Sequence, residues 1–153
     1  MSMEPWDEAR SGFIRLDDLV GRALLIYPRS TEERESNLPG SVGKRYTAVI
    51  GDCVVLSGPV TEVIPQVPLT IEGMFFSSSI VVSQIKFKIG TGRPVLGVLG
   101  TQKASNRNFK DAFVLNPDNG PHLTDEHRAL ARKAHAAYLA AKKAQEEDPF
   151  AVA

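Results

Sequence analysis

Lys44-Arg45-Tyr46-Thr47-Ala48-Val49-Ile50-Gly51-Asp52-Cys53-Val54-Val55-Leu56 is the stretch on which the fold turns. Its residues divide into two alternating sets, Lys44, Tyr46, Ala48, Ile50 and Asp52 against Arg45, Thr47, Val49, Gly51 and Cys53. That spacing, with β-branched residues throughout, predicts one long strand. Gly51 in its interior marks a bend or bulge, the device by which a strand turns a barrel corner. Ser57-Gly58-Pro59 ends the run.

Working outward, Val20–Tyr27 reads as a preceding strand stopped by Pro28, because proline has no N–H for a ladder. Arg29 to Gly43, which holds Pro39-Gly40, reads as a polar loop long enough to be functional or mobile. Downstream, Leu69–Phe76 is a third strand interrupted by Gly73. Ser77–Ile89 fits two periods. Ile85, Phe87 and Ile89 alternate with Lys86 and Lys88 as in a strand, whereas Val82, Ile85 and Ile89 are spaced as on a helix, with serines to cap its start and Gly90 its end. The caps favour the helix. Pro94–Gly100 and Ala112–Leu115 are further strands around a polar hairpin loop, Thr101–Lys110, and the turn residues 116–121 close the β body. Thr124–Glu147 is an alanine-rich helix with Thr124 as its cap and a narrow stripe of Leu130, Ala134, Ala137, Tyr138 and Ala141. Such a helix docks lightly or projects.

Five strands with a helix between the third and fourth is the order of an OB-fold barrel. The expected organisation is a mobile segment at 1–16, a mainly β OB-fold domain at 17–121, an appended C-terminal helix at 122–147 and a tail tip at 148–153.

The 153 residues carry 18 bases and 18 acids, so net charge points to no polyanion, but the distribution is uneven. From Met1 to Asp18 there are five acids to two bases, and from Lys86 to Lys110 there are six bases and no acid. The lone Cys53 excludes an intrachain disulfide and sits in an apolar run, as a small buried hydrophobe would. Met1–Arg10 is too polar for a signal peptide and no apolar stretch approaches membrane-spanning length, so a cytoplasmic protein with no membrane partner is expected.

Catalytic chemistry has little to rest on. His122, His127 and His135 fall in or beside the last helix with no cysteine or carboxylate completing a metal set, and Gly90-Thr91-Gly92 is too short for a nucleotide fingerprint. No catalytic residues, metal site or cofactor are expected. Binding chemistry is better represented. The 101–110 loop offers Lys103, Arg107 and Lys110 for phosphates and Phe109 as a stacking plate, the combination that sequence-tolerant single-strand binding uses. Tyr27, Arg29, Lys44, Arg45 and Tyr46 flank the first long loop. In an OB barrel the two loops frame one binding face, which would make these patches neighbours. Lys86, Lys88 and Arg93 either widen the basic strip or solubilise one face. Glu32, Glu33 and Glu35 oppose the site by loading the first loop with negative charge.

The segments 19–28, 46–59 and 95–101 (Leu-Val-Gly-Arg-Ala-Leu-Leu-Ile-Tyr-Pro, Tyr-Thr-Ala-Val-Ile-Gly-Asp-Cys-Val-Val-Leu-Ser-Gly-Pro and Val-Leu-Gly-Val-Leu-Gly-Thr) resemble a group of small actinobacterial-phage proteins. That group is regarded as OB-fold single-stranded-DNA-binding proteins of replication and recombination. The likeness covers about residues 17–118 and lies mostly in hydrophobic and turn residues. It implies non-catalytic binding of single-stranded DNA. A homo-oligomer is expected as well, because one barrel offers a short footprint and added sites raise avidity. Glu146-Glu147-Asp148-Pro149-Phe150 is similar to the acidic, Pro-Phe tips by which bacterial single-stranded-DNA-binding proteins recruit replication and repair enzymes, although Ala151-Val152-Ala153 follow here. From a different class comes the alternative of an interaction or scaffold protein, a phage structural or host-takeover factor, that works through its C-terminal helix and tail.

Overall fold

The computed structural model describes residues 14–35, 43, 45–102 and 112–147, without the side chains of 146 and 147. Five antiparallel strands, β1 (Ala23–Glu35), β2 (Arg45–Val55), β3 (Leu69–Phe76), β4 (Val95–Gln102) and β5 (Ala112–Leu115), form one sheet in the order β3-β2-β1-β4-β5. The sheet curls into a half-barrel with β3 and β5 as its edges. A short helix, α1 (Ser79–Ile85), lies between β3 and β4, and the chain ends in the long α2 (Asp125–Glu147).

β1 explains why the molecule has two apolar layers. Its run Ala-Leu-Leu-Ile-Tyr alternates like any strand, but both faces are covered. Leu24 and Ile26 join Val49, Cys53, Val55, Phe76, Val81, Ile85, Leu99 and Leu115 in the core inside the curl. Ala23, Leu25 and Tyr27 join Val54, Leu56 and Val98 on the outer face, which Ala131 and its neighbours on α2 cover. Ile14 and Leu16 pack against the inner core, so the folded body begins before residue 17. Cys53 is fully buried there as expected, and burial pushes its thiol up to about 12.

Pro28 does not stop β1, contrary to the sequence reading. The strand runs on to Glu35, because the register shifts between Pro28 and Ser30 and leaves Arg29 as an extra residue. An irregularity is where a strand can hold a residue with no N–H to donate. The polar stretch 29–35, read as loop, is therefore a strand paired with Arg45–Ile50.

Gly51 is the bend that its position predicted. It pairs with Pro28 on one side and Met74 on the other, and a Cβ there would run into the backbone of Tyr27 and Pro28. A second irregularity follows between Gly51 and Cys53, opposite Glu72 and Gly73. Gly73 takes φ 64°, a conformation that suits glycine, and its N–H turns to the Asp52 carboxylate.

The helical reading of Ser77–Ile89 holds in a shortened form. α1 spans seven residues, and Lys86–Lys88 continue it as a 3-10 turn. Ser78 is not a side-chain cap. Its hydroxyl donates to the Phe113 carbonyl and ties α1 to β5. At α2, Thr124 caps as expected: the His127 N–H donates to its Oγ1 at 3.2 Å, and the Thr124 N–H donates back to His127 Nδ1. α2 docks on the sheet and does not project.

Candidate nucleic-acid interface

Asp52 is fully buried on the α2 side of the sheet, at the double irregularity. Burial by itself raises a carboxyl pKa. Here the Tyr138 hydroxyl donates to Oδ2 at 2.6 Å, the Gly73 N–H donates to Oδ1 at 3.2 Å, and the Arg29 guanidinium and Lys142 ammonium stand at 3.0 and 3.7 Å. Together these outweigh the desolvation and hold Asp52 below the usual carboxylate range. The same burial, with the Asp52 bond behind it, raises the Tyr138 hydroxyl. Asp52 thus links a strand cation, Arg29, to two residues of α2.

Tyr27, expected as an open stacking ring, is buried. Its ring stacks on Tyr138 at 3.7 Å between centroids, its hydroxyl lies 2.8 Å from His135 Nδ1, and burial pushes that hydroxyl up to about 12. His135 is half-buried against Tyr27. A face of the Tyr27 ring is therefore taken by the protein's own helix.

Beside this seat, Tyr27, Pro28 and Arg29 from β1, Lys88, Gly92 and Arg93 from the connection before β4, and Tyr138 and Leu139 from α2 line a pocket of about 250 Å³. Four of the residues singled out in the sequence, Tyr27, Arg29, Lys88 and Arg93, meet here. Phe87, the residue before Lys88, is 74% exposed, with the Lys86 ammonium 5.4 Å from its ring centroid. Sequence reasoning missed Phe87: the favoured helical reading singled out Val82, Ile85 and Ile89 as one face and gave no role to the ring off that face. The signal was the cation-ring-cation order Lys86-Phe87-Lys88.

Arg45 and Tyr46 stand elsewhere. They pair with Glu35 and Arg34 at the far end of β1. There the acids answer the bases: Arg45 lies 3.6 Å from Glu33, and Arg34 bonds Glu32 at 3.0 Å while covering the Phe75 ring. β4 runs antiparallel to β1, so its end Gln102 and its partner Ala112 lie beyond the start of β1, away from Arg45 and Tyr46. Lys44, Lys103, Arg107, Phe109 and Lys110 fall outside the described residues, and so do Asp148, Pro149 and Phe150. Glu146 and Glu147 are the last residues of α2. Lys86, Lys88 and Arg93 have no ion-pair partner among the described residues, so the connection before β4 keeps its positive charge, whereas at the far end of β1 the arginines are offset by Glu32 and Glu33.

Among the described residues no group of three or more His, Cys, Asp and Glu is placed to hold a metal ion, and no helix is long and apolar enough to cross a membrane. No protein-family model, curated protein or solved structure matches the chain.

Proposed function

We propose that this protein binds single-stranded DNA with little sequence preference and performs no chemistry on it. The observation that carries the reading is Phe87, an exposed ring between two lysines, of which Lys88 lines a pocket with Arg29 and Arg93. Cations follow a strand's phosphates, and a ring uses the flat face common to all bases. An OB-type framework is supported by the strand order and by a helix between β3 and β4, with the curl open between β3 and β5. In OB folds the face over the second and third strands binds oligonucleotides. Here α2 covers part of it, with Ala134, Ala137 and Tyr138 lining a gap over Val54 and Thr70, so the contact surface shifts to Phe87 and its cations. A role in phage DNA replication or recombination in the cytoplasm, self-association to lengthen the footprint, and recruitment through Glu146–Phe150 belong to the same proposal.

Fluorescence anisotropy with a labelled oligo-dT and its duplex tests it. Binding prefers the single strand, falls steeply with salt, and weakens by about 1–3 kcal/mol in Phe87→Ala. No binding at low salt would sink the reading in favour of a scaffold or interaction protein that uses Phe87 and Leu139 as apolar contacts.

A further inference from the structure

We infer that the pocket between Arg29, Lys88 and Arg93 is a seat for one phosphate group, and, resting on the single-strand reading above, that the seated group is a backbone phosphate of the bound strand.

Three elements build this seat. From β1 comes Arg29, the residue that the register shift leaves unpaired in the ladder. Its guanidinium is held at 3.0 Å by Asp52 yet remains half exposed. A guanidinium has five N–H donors, so most remain for a second anion. Lys88 and Arg93 come from a turn with built-in geometry. Thr91 donates its hydroxyl to the Lys88 carbonyl at 2.7 Å and accepts the Arg93 N–H at 3.1 Å, so one side chain staples both ends of the turn. Gly90 and Gly92 take φ of 81° and 72°, conformations that favour glycine. Gly90-Thr91-Gly92, too short for a nucleotide fingerprint, thus works as a clip that sets two cations at one rim. The third wall is α2, where Asp52 fixes Tyr138. Tyr27, Pro28, Tyr138 and Leu139 supply an apolar floor that suits a sugar. No acid lines the pocket, and Asp52 behind it is already shared between Arg29 and Lys142.

Phosphate contacts and stacking contacts leave different signatures. Each phosphate neutralised on a single strand contributes about 0.7 to the slope of log K against log salt, whereas stacking contributes none. Lys88→Gln and Arg93→Gln, both at exposed positions, are each expected to weaken oligo-dT binding and to lower the slope by up to about 0.7. Phe87→Ala is expected to weaken binding at an unchanged slope. Oligo-dT that binds the double variant with the wild-type slope would overturn the seat and leave the single-strand reading standing. If wild-type protein fails to bind oligo-dT, that reading falls, and inorganic pyrophosphate followed by amide NMR decides the seat alone. Shifts at Gly92 and Arg93 that vanish in the double variant uphold it. No shift at those amides overturns it.

Discussion

The two helices are anchored by different physics. α1 has seven residues and buries Val81, Val82 and Ile85 within the inner core. Its Gln84 side chain brackets Leu115, donating to the carbonyl at 2.9 Å and accepting the N–H at 2.8 Å, as a neighbouring strand would. α2 has 23 residues, and among its described side chains only Ala131 is buried, with Leu130, Ala134 and Tyr138 half-covered beside it. Its far half is seated by the Asp52 carboxylate and the Tyr27 ring. Anchorage therefore follows apolar area and satisfied polar groups, not helix length.

The most severe way to break this contrast is at α1. Ile85→Ala leaves a cavity in a layer with no exposure and is expected to cost about 2–5 kcal/mol, read as a lowered denaturation midpoint at constant slope. On α2, Tyr138→Phe removes the hydroxyl from Asp52 and keeps the ring stack. A hydrogen bond to a charged group is worth about 1.5–3 kcal/mol, and the loss should appear first as faster amide exchange in α2, with α1 unaltered. Leu130→Ala, which trims a half-buried contact, should cost about 1 kcal/mol.

pH sharpens the same comparison with the smallest effect near neutrality. α1 holds no titratable side chain, whereas α2 is seated by Asp52 and Tyr27. Asp52 is lowered in the fold, so its contribution is complete above the ordinary carboxylate value of about 4 and is lost as pH falls below that through the lowered value. Tyr27 is raised, and its contribution is complete below the ordinary phenol value of about 10. It is lost as pH rises through about 12. Circular dichroism and amide exchange at both extremes should show α2 loosening before α1. Simultaneous loss of both helices would erase the distinction.

Much of the fold was legible because it is written in local period and punctuation. The strands at Leu69–Phe76 and Ala112–Leu115 and the Gly51 bend lie where alternation and glycine placed them. Pro28 misled because its local effect, a missing N–H, is harmless where the partner strand's register shifts. The candidate site was half legible. Arg29, Lys88 and Arg93 were visible as cations, but their meeting depends on a strand irregularity, a clipped turn and a docked helix far apart in the chain. Tyr27 was visible as a ring, yet the residue that covers it lies over a hundred positions away.

By itself the sequence determined the mainly β class, the helix after Thr124, the buried Cys53 and the uneven charge, since each depends on neighbours within a few residues or on composition alone. Only the tertiary structure decided which charges remain open. The ribbon's arginines are answered by Glu32 and Glu33, while no acid among the described residues pairs with Lys88 or Arg93, because ion pairs form through space and strand register sets who meets whom.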